Sequence, residues 1–198
     1  MTENSGPLAD LLDLVIHKKG GADDFVDWDV AENVNGYRFP ADYMKLIAHL
    51  GEGSFEESLG VRPPALAASD ADTEGRVCPI SAESLADPLT DRWTDTETAA
   101  TYKVEDMLIW GETAGADTLC WITSGNDPDA WPIAVYRRGD LAWTVYPCNL
   151  TEFILRIIRG EFDECPISDE SLFGMESPRF LTVQQEAELM NLGIDPWP

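Results

Sequence analysis

Carboxylates dominate the reactive side chains of this 198-residue sequence, with 37 Asp and Glu against 13 Lys and Arg and a formal net charge of −24. Close pairs at Asp23-Asp24, Asp127/Asp129 and Asp163-Glu164 have the types that hydrolysis by a general acid and a general base requires. At this density, neighbouring acids also arise on solvated loops, so the pairs alone do not select catalysis. The more specific catalytic patterns are absent: there is no Gly-x-Ser-x-Gly elbow, no Gly-x-x-x-x-Gly-Lys phosphate loop and no His-Glu-x-x-His helix. Gly51-Glu52-Gly53 is too short for a dinucleotide fingerprint, and its acid would repel pyrophosphate. Asp127-Pro128-Asp129 lacks the spacing of a calcium loop. Cys78, Cys120, Cys148 and Cys165 form no Cys-x-x-Cys pair and have only His17 and His49 to complete a metal set. They read as buried free thiols, and no cofactor or metal is expected.

The charge then narrows the partners. A field of this sign repels nucleic acid phosphates and anionic lipid, and it attracts basic proteins. Neither nucleic acid nor membrane is expected as a partner. The first residues, MTENSGPLADLLDLVIHKKGG, have no basic segment before their apolar run and no small-residue cleavage site after it, unlike a signal peptide. No apolar run nears the ~20 residues of a membrane span. A soluble, cytoplasmic protein is the expectation. Its oligomeric state is left open.

Several elements must position these side chains. Pro7 opens a helix with Leu8, Leu11, Leu12 and Val15 on one stripe, and Gly20-Gly21 stops it. A second helix is expected from about Asp23 to Val34. In YRFPADYMKLIAHLGEGSFEE, Pro40 takes the first helical position and Asp42 the first turn, while Tyr43, Leu46, Ile47 and Leu50 repeat at i, i+3, i+4, i+7. His49 falls on or beside that face, and Gly51 is expected to cap the helix in the left-handed conformation. Ser54 to Val61 can extend as one strand up to Pro63-Pro64. Ala65 to Gly75 reads as an exposed loop, Ser81 as the cap of a short helix, and Asp95 to Thr101 as an acidic loop.

The period changes after residue 106. MLIWGE, TLCWIT, WPIAVYRR and LAWTVYP are β-branched and aromatic runs separated by turn residues, which predicts a four-stranded antiparallel meander. Trp110, Trp121, Trp131 and Trp143 read as sheet core. Asn149 to Glu152 caps a helix with Leu150, Phe153, Ile154, Ile157 and Ile158 on one face and Gly160 at its end. Thr182 and Gln185 have capping-box spacing for a last helix ending near Gly193. The expected fold is α+β: a mostly antiparallel sheet of five or six strands, helices before and after it, and Leu46, Ile47, Trp121, Trp143, Phe153 and Ile157 buried.

Two blocks of residues stand in a fixed order. The first is Trp28-x-x-x-Glu32, Gly36-x-x-Phe39-Pro40-x-Asp42-Tyr43 and Leu50-Gly51-x-Gly53. The second is Trp110-Gly111, Gly115-x-Asp117, Trp121, Trp131-Pro132, Trp143 and Glu152-Phe153 ahead of Gly160. Together they resemble the SUKH superfamily, which takes in fungal cell-wall-synthesis regulators and bacterial immunity proteins. Phe39 stands where the family more often has Leu, and the segment from Leu66 to Thr101 is longer than a minimal member needs. The resemblance covers residues 24–161, so a SUKH-like domain over residues 1–161 and a C-terminal extension over 162–198, with a short helix packed on the domain, are expected.

The resemblance implies a non-catalytic protein-binding module, an immunity protein that neutralises a cognate toxin in a bacterial polymorphic toxin system. A nuclease toxin presents a basic surface, which an acidic protein complements. A regulatory scaffold without a toxin partner is the alternative reading, and an acidic hydrolase a weaker one. From the residues themselves, Gly51, Gly53 and Pro63-Pro64 should hold the helix exit at the surface. That makes Glu52, Glu56, Glu57, Asp70, Asp72 and Glu74 the candidate partner-binding acids.

Overall fold

The computed structural model describes residues 6–17, 26–70 and 75–198. Three helices come first. Helix α1 (Pro7–Leu14) begins on its proline, buries Leu11, and ends where Val15 turns extended. Helix α2 (Trp28–Asn35) is capped by Asp27, whose side chain accepts a bond from the Val30 amide, and closes on left-handed Gly36. The expected earlier start, Asp23 to Phe25, lies outside the described residues. Helix α3 (Ala41–Leu50) buries Tyr43, Leu46, Ile47 and Leu50 as its spacing predicts. Pro40 is its N-cap rather than its first helical residue. Gly51, at φ 79° and ψ −164°, combines a positive φ with an extended ψ. Only glycine adopts that region readily, and there it sends the chain directly into the sheet. His49 is exposed rather than part of the apolar face, with a ring nitrogen 2.7 Å from the Lys45 carbonyl.

The single strand expected at Ser54–Val61 is a hairpin of β1 (Gly53–Phe55) and β2 (Leu59–Val61). Its turn is made by Glu56 and Glu57, both at positive φ (50° and 55°), the hand that matches strand twist. Strand β3 (Cys78–Pro79) follows, then α4 (Ala82–Ala86), capped by Ser81 as expected. Next comes α5 (Thr96–Thr101), where a loop was expected; Asp95 caps it by accepting from the Thr98 amide at 2.7 Å. The meander is β4 (Met107–Thr113), β5 (Thr118–Ile122), β6 (Ile133–Arg137) and β7 (Ala142–Tyr146). Helix α6 (Leu150–Arg159) is capped by Asn149 and ends on left-handed Gly160. Strand β8 (Phe180–Thr182) leads into α7 (Val183–Asn191) through a complete capping box of Thr182 and Gln185.

The eight strands among the described residues pair antiparallel in one sheet of order β7-β6-β5-β4-β2-β1-β8, with β3 beside the first half of β4. The count exceeds the expected five or six because β1, β2, β3 and β8 are two or three residues long, too short to carry a period. Residues 162–198 thus supply an edge strand of the sheet as well as a helix. The inner face packs against α1, α3 and α6 through Phe55, Leu59, Trp110, Trp121 and Phe153. Part of the outer face is covered by residues 80–106, where Ile80 and Val104 meet Met107, Cys120, Ile122 and Trp143.

Both sheet edges are occupied. On β7, the Trp143 amide donates to the Arg92 carbonyl at 2.8 Å and its carbonyl accepts from the Thr94 amide at 2.9 Å. Beside β8, Ile16 donates to the Pro178 carbonyl and accepts from the Phe180 amide. Pairing with a further strand is blocked at those positions. No helix among the described residues is long and apolar enough to cross a membrane.

Candidate partner-binding surface

Several of the residues quoted for the resemblance are framework. Trp28 packs edge-on against Phe39 and Tyr43, with centroids 5.5 and 5.9 Å apart, and Tyr43 meets Trp121 at 5.0 Å. The Tyr43 hydroxyl donates to the Arg62 carbonyl at 2.7 Å, tying α3 to the end of β2. Asp42 accepts from the Tyr43 amide and, at 2.8 Å, from the Thr151 amide in the first turn of α6. Its carboxylate therefore sits at the positive end of a neighbouring helix. Burial raises its pKa, and those two amides oppose the rise.

Asp117 is the most deeply engaged acid. It is 1% exposed, and its two oxygens accept from the Thr113 hydroxyl, the Arg138 amide, and the amide and hydroxyl of Ser168 at 2.6–2.8 Å. One carboxylate so joins the β4–β5 turn, the start of the β6–β7 turn and the chain after α6. A buried carboxylate with that many donors is satisfied structure, not a free acid.

Four of the six predicted acids lie among the described residues, and each has its own setting. Glu52 is half-exposed and lies 3.6 Å from Arg76 in an ion pair. Glu56 serves the fold: its amide donates to the Arg179 carbonyl and its carboxylate accepts from the Arg179 amide, fastening the hairpin turn to the chain entering β8. Glu57 is exposed at the turn. Asp70 closes a local turn by accepting from the Ala67 amide at 3.1 Å, while Ala65, expected in an exposed loop, is fully buried. Asp72 and Glu74 lie outside the described residues.

Of that set, Glu52 borders a depression, and it does so with two acids that local sequence reasoning missed. Glu112 on β4 and Glu186 on α7 join it around a trough of about 210 Å³ on the outer sheet face. The floor is Ser54 and Gly60, cross-strand neighbours, with Gly60 in turn opposite Glu112. Arg62, 2.8 Å from Glu112, is the cation on its wall. The alternation Gly53-Ser54-Phe55 and Leu59-Gly60-Val61 held the clue, since the middle residue of each strand must face away from the core. Glu186 had no such signal, because it reaches the trough only through the pairing of β8 with β1.

A second, larger groove of about 500 Å³ lies on the same sheet face. Glu112 pairs across the sheet with Thr118, and Thr118 with Tyr136. Thr118, Ile109, Tyr136 and Trp143 lie along the groove's sheet side, and Glu83 and Asp87 line it from α4 and its exit. The Trp143 indole is fixed by donating to the Thr90 carbonyl at 2.7 Å. Among the described residues, no group of three or more His, Cys, Asp or Glu side chains is arranged to hold a metal ion.

No family model, no curated protein and no solved structure matches this chain.

Proposed function

We propose that this chain is a non-catalytic protein-binding module that captures a basic protein. Following its resemblance to the SUKH superfamily, we propose further that it is a cytoplasmic bacterial immunity protein that neutralises a cognate toxin. A nuclease is the toxin class whose basic surface fits best. The observation that carries the reading is the open outer sheet face, where Glu52, Glu112 and Glu186 surround a floor of small residues. Carboxylates at a concave surface focus the field of a −24 chain and raise the encounter rate with a cation. Of the acid pairs that could serve a hydrolase, Asp127 and Asp129 are each engaged by a backbone amide, of Asp129 and of Ala41 respectively.

The test is to mix the protein with the product of its neighbouring gene and measure association at two salt concentrations. Steered capture should slow as salt rises, because screening shortens the field to ~8 Å at physiological ionic strength. Absence of binding would turn the reading toward a regulatory scaffold with other partners. Binding with an unchanged on-rate across salt would remove the electrostatic part of the proposal.

A further inference from the structure

Gly60 is a glycine that its own strand does not require. Its φ is not positive, and a Cβ placed on it would meet only the Glu112 carbonyl oxygen at 3.6 Å, an ordinary contact. The other glycines of the central strands differ: a Cβ on Gly53 would lie 2.1 Å from the Leu181 carbonyl oxygen, and one on Gly111 2.7 Å from that of Gly60. A mid-strand glycine with no backbone cause weakens its strand, and one physical use for it is the close approach of another chain.

Gly60 also lies on a row that crosses the sheet. From Tyr136 the cross-strand partners run through Thr118, Glu112, Gly60 and Ser54 to Leu181. Trp143 extends the row to β7. Both depressions lie along it, with Glu112 lining one and its cross-strand partner Thr118 the other. Six strand-to-strand steps at ~4.8 Å span ~29 Å, the reach of about nine extended residues at ~3.3 Å each. The walls hold five carboxylates, Glu83 and Asp87 at one depression and Glu52, Glu112 and Glu186 at the other, against Arg138 and Arg62. Arg62 is engaged by Glu112 and Glu52 by Arg76, so Glu186 is the trough carboxylate outside those two ion pairs. Short bridges block each sheet edge at Trp143 and beside Phe180, whereas the face along this row is open.

We infer that this transverse groove is the docking surface for an extended basic segment of the protein partner, which lies across the strands with its backbone passing over Gly60. Alternate side chains serve two purposes. Apolar ones reach the Ile109 and Tyr136 floor, and Lys or Arg side chains meet the carboxylate walls. This assignment rests on the partner-capture reading and adds to it the location and chemistry of the site.

The probe is an acetylated, amidated nonapeptide alternating Lys and Leu, titrated into the full chain, with a Glu-for-Lys counterpart as control. The Lys peptide should bind, shift the amide resonances of Ser54, Gly60, Glu112 and Thr118, and weaken at least tenfold in Gly60→Leu. Ser54→Leu provides the same readout one strand away if Gly60→Leu does not fold. A variant carrying Glu161→Gln and Asp163→Asn, which removes two charges outside the groove, should alter the Kd less than twofold. Equal binding by wild type and folded Gly60→Leu, or shifts centred on α1 and α6, overturns the groove. The neighbouring gene product separates the two failures. If it binds wild type and Gly60→Leu alike, the groove falls and partner capture stands; if it does not bind wild type, the function on which the groove rests falls as well.

Discussion

The two faces of the sheet are built on opposite terms. The inner face carries Phe55, Leu59, Trp110 and Trp121, each 0–1% exposed beneath three helices. The outer face has a smaller core under residues 80–106, and beyond it only Glu112, Gly60, Ser54 and Leu181 across four strands. On the inner face side-chain volume excludes water. On the open half of the outer face, side chains are short enough to leave room, and charge is placed around that room instead of apolar mass. Stability is thus drawn mainly from one side of the strands and the proposed recognition from the other, so substitutions on the two sides should differ in size and even in sign.

The largest effect is expected on the inner face. Trp121→Ala removes a ring that meets both Tyr43 and Trp110, and should cost ~3–5 kcal/mol in denaturant unfolding. Asp117→Ala should come next, at ~2–3 kcal/mol, because the amides of Arg138 and Ser168 lose their acceptor in a buried setting. Limited proteolysis should then cut preferentially near Ser168, and an unaltered digest would remove Asp117 as the tie for that segment. Gly60→Ala on the outer face should raise stability by ~0.5–1 kcal/mol, since the site has room and the strand gains propensity. A loss as large as that of Trp121→Ala would erase the distinction between the faces.

What was legible in the sequence follows the same division. Elements with long periodic runs could be read directly: the meander, α3 with its i, i+3, i+4, i+7 face, and α6 with its Asn149 cap. Short elements could not be read in this way. The β1–β2 hairpin turns on two glutamates at positive φ, where glycine or asparagine would have announced a turn. Helix α5 has no buried residue and hence no apolar stripe; only its Asp95 cap marks it. The candidate site was the least legible part. Glu52 was found because it follows a helix stop, whereas Glu112 and Glu186 meet it only through pairings between segments distant in the chain. Glu56 looked like a free surface acid, but its role is fixed by Arg179, 123 residues away.

The smallest effect concerns how tightly the inner side is closed, and it is read by pH. Burial pushes the Cys148 thiol up to about 11 from 9.0, with Glu152 adding to the rise and Arg156 opposing it. Tyr146 beside it, its ring 5.2 Å from both Phe153 and Phe162, is pushed up to about 12 from 10.0 for the same first reason. Both are acids that the fold holds protonated, so the unfolded chain gives up its protons first. Their effect on stability is therefore flat below pH 9, and stability falls as pH rises through 9–11 for Cys148 and 10–12 for Tyr146. The same shift lowers the thiolate fraction at pH 8, so iodoacetamide should modify native Cys148 about a hundredfold more slowly than a free thiol. Cys78, half-buried at the start of β3, should be labelled before it. Peptide mass spectrometry over a time course at pH 8 gives the order. Labelling of Cys148 at the free-thiol rate would mean that the inner face opens at the start of α6, and the contrast between a sealed inner face and an open outer one would no longer hold.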